Sequence, residues 1–198
     1  MASTLKEILE SYHAHAPLSE AWTIPDTWYV DSRVAELERR TVFAKSWQLI
    51  GRADQVREPG QYITWELAGE PLVVVRGSDK VLRGFFNVCR HHAAAVITEP
   101  EGKANVLRCP YHGWTYSLAG ELKGTPDFTG VCNFDRAANG LVPVETAVWE
   151  NWVFVKLEPT ALSLEDFLGA DLLNQTQSLN FGSLHWMERR HYAFDCNW

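Results

Sequence analysis

The chain has 198 residues, 46% of them hydrophobic and 12% aromatic, with a formal net charge of −7 at pH 7. That length suffices for one large domain, or one domain and part of another, around a substantial core, and the composition is not that of a disordered segment. The acidic balance argues against nucleic acid or an anionic membrane as the main partner.

Four cysteines do not make a secreted disulfide framework. The opening MASTLKEILESYHAHAP carries Lys6, Glu7 and Glu10 and lacks an uninterrupted apolar core, so it does not read as a signal peptide. No apolar run approaches membrane-spanning length. Asn174-Gln175-Thr176 matches the glycosylation pattern, but chance explains it in a chain with no export signal. These features predict a soluble, cytoplasmic protein in a reducing compartment.

In chain order, residues 4–15 show a short helical pattern. Asp31 is a plausible N-cap for a second helix to about Ser46, with Val34, Leu37, Val42 and Phe43 on its buried face. From Trp47 the period changes. Residues 61–67, 72–76 and 81–88 are rich in β-branched and aromatic side chains, and Gly69 and Gly77 mark the turns of an antiparallel meander. Strands at 104–108 and 114–118 flank a loop, followed by a turn at 119–121. Residues 123–140 read as a long loop. A closing hairpin at 141–148 and 152–157 precedes Pro159, a helix at 162–173, and a stretch at 185–198 that could begin another strand.

Cys89-x-His91 is followed, after seventeen intervening residues, by Cys109-x-x-His112. A Rieske-type [2Fe–2S] centre needs this set, because two histidines ligate one iron and two cysteines the other. Each mixed pair can give one ligand to each iron, and each follows a predicted strand. Pro110 and Gly113 suit the tight turn that aims backbone amides at a cluster. The rival is a Cys2His2 zinc module, although zinc pairs usually have two or more intervening residues and Cys89-x-His91 has one. Arg90 and His92 alternate with the first pair and read as a surface charge and a spacer; on an extended segment His92 would point away from the ligands. His13 and His15 face different directions on a helix. His185 and His191 lack an acidic partner at ligand spacing, and Cys132 and Cys196 read as small core residues.

With CRHH at 89–92 and CPYHGW at 109–114, the chain resembles the alpha subunit of Rieske non-haem iron oxygenases. The stretches SWQLIGRADQV, GFFNV and LKGTPDFTG…GLVPVETAVWENWVFVKLEP extend the likeness over roughly residues 20–198. The resemblance implies a mostly β fold: a Rieske-type antiparallel β-sandwich with a cluster-binding subdomain, N-terminal helices and a C-terminal linker helix. It divides the chain into a helical segment at 1–46, a Rieske domain at 47–158, and a linker helix with the first strand of a truncated catalytic domain at 159–198. Cys89 and Cys109 would hold the buried iron, and His91 and His112 the outer one.

Rieske proteins of respiratory complexes carry an extra, disulfide-forming cysteine in each ligand loop. Ala94 and Tyr111 stand there, which implies the oxygenase or ferredoxin type. A standalone ferredoxin-like carrier remains the alternative, but such carriers lack the helices and the extension after residue 158. His92 and Ala93 replace the Arg-Gly of many ring-hydroxylating members, a lean toward choline, betaine and carnitine monooxygenases. In the family, a segment like Cys196-Asn197-Trp198 opens the catalytic domain, whose mononuclear Fe(II) takes two histidines and a carboxylate. No histidine here has another five positions later, so that iron is expected outside these residues and the chain alone is expected to be catalytically incomplete. The implied partners are a reductase or ferredoxin donor and, in the family, copies of the subunit in a trimer.

Overall fold

A computed structural model describes residues 3–185, 187, 188 and 190–193. Two compact units emerge, one of Phe43–Met187 and one drawn from Met1–Val42 with Glu188–Trp198. The smaller holds α1 (Leu5–Glu10), α2 (Asp26–Val30) and α3 (Ser32–Glu38). A capping box closes α1, with the Thr4 hydroxyl accepting from the Glu7 amide and the Glu7 carboxylate accepting from the Thr4 amide. The Trp28 indole donates to the Ile8 carbonyl at 3.0 Å, tying α2 to α1.

Asp31 caps α3 as expected, accepting the Arg33 amide at 2.9 Å. The single helix expected from Asp31 to Ser46 is corrected. α-Helical bonding ends at Glu38 and the chain continues as a π-turn over Arg39–Phe43, while α2, absent from the sequence reading, precedes it. α1 stops at Glu10, so His13 and His15 lie beyond it.

The larger unit is mostly β. One antiparallel sheet contains β1 (Gln48–Arg52), β2 (Gln61–Leu67), β3 (Glu70–Arg76), β4 (Leu82–Phe86), β5 (Glu101–Lys103), β9 (Pro143–Trp149) and β10 (Trp152–Lys156) in the order β1-β10-β9-β4-β3-β2-β5. The β2–β3 turn places Ala68 and Gly69 at φ 55° and 87°, the two left-handed positions of a primed hairpin turn. β1 and β5 carry no strong strand pattern and emerge only through pairing with β10 and β2. β9 joins the two halves of the sheet: Pro143 and Val144 pair with β4, and the residues from Glu145 onward pair with β10.

The sheet therefore curls on itself. Ile50, Ile63, Leu72, Val74, Val153 and Val155, from both halves, pack into one core. Alternation along β3 sends Val73 and Val75 to the opposite face, where they meet Cys89, Cys109, Trp114 and Tyr116. β3 is thus buried on both faces, and each of its aliphatic side chains contributes about 1.5–3 kcal/mol. A second sheet of β6 (Leu107–Arg108), β7 (Thr115–Tyr116) and β8 (Leu122–Gly124) forms the subdomain over that face. The flanking strands expected at 104–108 and 114–118 shrink to the two-residue pieces β6 and β7, and Ala104 is drawn instead into a backbone bond with Gly60 at 3.0 Å.

The fully buried Lys156 ammonium donates to Thr160 and Leu162 carbonyls at 3.1 and 2.9 Å, lies 2.8 Å from the Glu145 carboxylate, and sits over the Trp47 ring. It clips the segment after β10 to the sheet. α4 (Leu164–Thr176) follows, capped by Ser163 and broken at Gly169, whose φ of 76° is non-helical. The described residues of the stretch 185–198 form no strand, and Cys196, Asn197 and Trp198 lie outside the described residues.

Candidate metal centre

Both ligand loops fold alike. The Cys89 amide donates to the Ala94 carbonyl at 2.8 Å and the Ala93 amide returns to the Cys89 carbonyl at 2.9 Å. In the second loop the Cys109 amide donates to Trp114 at 2.8 Å and the Gly113 amide to Cys109 at 3.0 Å. Each turn needs a left-handed residue at the same place, Ala93 at φ 58° and Gly113 at φ 72°.

Asn87, 4% exposed, fastens the first loop. Its amide group donates to the Ile97 carbonyl at 2.7 Å, and its oxygen accepts the Val96 and Ile97 amides at 3.1 and 2.9 Å.

The four sequence-predicted residues come together at one tip. Cys89 and Cys109 are each 2% exposed, whereas His91 is half-buried and His112 exposed. The two imidazoles lie 4.9 Å apart, centroid to centroid. His91 stacks on Trp114 at 4.6 Å and 5°, and Trp114 is boxed edge-on by Phe128 and Phe134. Tyr111, 64% exposed, stacks on His112 at 3.8 Å. A groove of about 640 Å³ opens beside them, lined by His91, Arg108, Tyr111, His112, Asp127 and Phe128 among others.

Burial pushes the Cys109 thiol pKa up, opposed by the Tyr111 and His112 amides that favour its thiolate, with Cys89 adding to the rise. Partial burial, then His92 and His112, lower His91. Burial also raises Tyr116, with its bond to Cys89 acting in the same direction. The Tyr116 phenol therefore stays protonated beside the Cys89 sulfur.

Several readings are corrected here. The first loop is a tight turn rather than an extended segment, so His92 does not point away: its ring is 4.0 Å from His91 and 5.4 Å from His112. Cys132 is exposed, not a core residue, and Cys196 lies outside the described residues. Tyr116, Asn87, Phe128 and Phe134 escaped the sequence reading. Only the two-residue spacing of Trp114 and Tyr116 on one strand face hinted at the first.

Paired buried sulfurs, paired outer imidazoles, and amides aimed at sulfur fit a cluster with thiolates on one iron and imidazoles on the other. The fold and tip define a Rieske [2Fe–2S] domain, and residues 46–135 match that domain family. More narrowly, the chain's relatives are the oxygenase subunits of Rieske non-haem iron oxygenases. It is 43% identical over 150 residues to the carnitine monooxygenase oxygenase subunit of Escherichia coli K12, covering 75% of this chain and 40% of that protein. With the chloroplastic choline monooxygenase of Arabidopsis thaliana it shares 32% identity over 206 residues, covering 99% of this chain and 49% of the relative.

The crystal structure of the quaternary ammonium Rieske monooxygenase CntA with L-carnitine superposes with a TM-score of 0.74 at 36% identity, over 80% of this chain and 45% of that one. The chain thus spans less than half the length of the curated relatives it matches. Among the described residues, no helix is long and apolar enough to cross a membrane.

Proposed function

We propose that the chain is the electron-transfer part of a non-haem iron oxygenase, with Cys89 and Cys109 holding one iron of a [2Fe–2S] cluster and His91 and His112 the other. The observation that carries this reading is the split of the four side chains at one tip: sulfurs buried at 2% exposure, imidazoles toward solvent.

When bound, the cluster supplies reversible one-electron chemistry. The protein's own groups make that useful. The buried thiols sit in a dry, aromatic-lined pocket, where amides of the second loop and the Tyr116 hydroxyl favour added negative charge on sulfur. His91 and His112 form the conducting edge, with Trp114 fixing one ring and Tyr111 covering the other. With a cluster held by Cys89, His91, Cys109 and His112, the two histidines would present the edge through which it would exchange electrons with a reductase or ferredoxin donor and with the mononuclear iron of the whole protein. One relative's structure is described as revealing inter-subunit electron transfer, and we place the same step in a homo-oligomer of the whole protein, in the cytoplasm.

Identity of 43% to a carnitine monooxygenase subunit favours a small quaternary ammonium substrate for the whole protein. The test is twofold. The chain should carry iron and acid-labile sulfide in equal amounts, about two of each, with the reduced-state EPR signature of a histidine-ligated cluster. Replacing His112 with Cys should keep a cluster but lower its potential toward the about −400 mV of all-cysteine ferredoxins. Zinc without sulfide, or an unchanged potential, would overturn the assignment. For the substrate, the full-length protein with its reductase should consume oxygen with carnitine or choline and not with an aromatic hydrocarbon.

A further inference from the structure

We propose that His91, His92 and His112 form a second metal site, a three-imidazole grip that takes one divalent ion of the zinc class when the cluster is not in place. One nitrogen from each ring can be chosen so that all three lie within 4.8 Å of one another. The cause is local. The backbone bond from Ala93 to Cys89 folds residues 89–93 into a turn, which brings the consecutive rings of His91 and His92 to 4.0 Å on the side where His112 arrives from the other loop.

Two of the three rings are pre-positioned, His91 by its stack on Trp114 and His112 by its stack on Tyr111. His92 is exposed and is not one of the four cluster ligands proposed above. Imidazole nitrogen suits zinc, copper and nickel, and three protein ligands with solvent in the fourth place make a stable zinc arrangement. The thiols lie deeper, at 2% exposure, with Cys89 engaged by Tyr116. An ion arriving from solvent therefore meets nitrogen first.

Two of these imidazoles are also proposed as cluster ligands, so the two occupancies exclude each other. His92, dispensable to the cluster, is what strengthens the competitor. Only this consequence rests on the cluster reading; binding by the three imidazoles does not.

The test uses the 198-residue chain carrying Cys89→Ser and Cys109→Ser, which offers no thiolate at the tip, and the unaltered chain freed of iron and sulfide by chelation. Both are titrated anaerobically with Co(II) and then Zn(II), with circular dichroism confirming the fold. One ion per chain, giving weak ligand-field bands without sulfur-to-cobalt charge transfer, is expected in both. His92→Ala should weaken zinc binding about tenfold or more, at least as much as losing an outer-shell partner. It should leave the iron and sulfide content after reconstitution unchanged, and zinc loaded first should slow that reconstitution less than in the unaltered chain.

Absence of binding, equal affinity in His92→Ala, or intense thiolate charge transfer in the unaltered chain would overturn the proposal. If the double serine variant does not fold, the unaltered chelated chain decides by the same bands. Failure of the chain to assemble any iron–sulfur cluster would defeat the electron-transfer reading while leaving this titration decisive.

Discussion

The Tyr116 hydroxyl lies 3.3 Å from Cys89 Sγ and accepts the Arg90 amide at 3.0 Å. With the Arg90 amide donating to its oxygen and its ionisation suppressed by burial, the phenol is placed to donate its proton to the sulfur once that sulfur carries negative charge. If Cys89 holds one iron of the proposed cluster, reduction would add negative charge near that sulfur, and the donor would favour the reduced form. Tyr116→Phe should lower the midpoint potential by about 60 mV, since a charge-assisted hydrogen bond of roughly 1.4 kcal/mol corresponds to 59 mV for one electron. Protein-film voltammetry checks this, and an unchanged potential with full iron content would show that the hydroxyl does not act on the sulfur.

Asn87 holds the first ligand loop by three bonds from one buried side chain. Asn87→Ala leaves two amides and a carbonyl without partners and should cost about 2–4 kcal/mol. For a chain of this size that is a Tm lower by several degrees, at about 2–4 °C per kcal/mol. Calorimetry of the variant is the check, and iron should be lost to chelators faster than from the parent.

The two loops make the same demand at matched positions and meet it with different residues. Ala93 holds φ 58°, a strained value for a residue with a Cβ, and Gly113 holds φ 72°. Ala93→Gly should be neutral or stabilising. Gly113→Ala should destabilise by about 1–2 kcal/mol from the left-handed backbone alone, and its Cβ would also sit 3.3 Å from the Arg108 guanidinium. Paired denaturation curves giving the same sign for both variants would contradict this account.

Asp79 accepts from Arg83 at 2.8 and 2.7 Å and from the Val81 amide at 3.1 Å, closing the β3–β4 turn. The Arg83 guanidinium, and then the Val81 amide, hold its carboxyl well below the usual range, at about 2. A depressed folded-state pKa stabilises the fold above the unfolded value of 3.8 and is lost as pH falls toward about 2. NMR titration of the Asp79 carboxyl should therefore show a midpoint near 2, and Asp79→Asn should flatten the stability profile between those values. A midpoint near 4 would show that the pair does not persist in solution.

Much of the fold was legible because its signals are local. The β-branched and aromatic runs of β2 and β3, the turn at Gly69 and the Asp31 cap each depend on a few adjacent residues, and each stands as expected. β1 was not legible. Gln48–Arg52 is a strand because β10, about a hundred residues later, supplies its partner. The helix expected to Ser46 fails for the converse reason: periodicity names a face but not where bonding shifts to a π-turn.

At the tip, the sequence by itself determined which side chains are on offer, two thiols and two imidazoles at fixed short spacings. Tertiary structure decided which atoms face inward and what surrounds them. Tyr116 reaches Cys89 across 27 positions, Asn87 closes a loop that includes Val96 and Ile97, and His92 turns toward its neighbours because the backbone between Cys89 and Ala93 closes on itself. Spacing along a chain sets what residues can offer to a metal; only the folded path sets their distance from one another and from water, on which burial, hydrogen bonding and charge all depend.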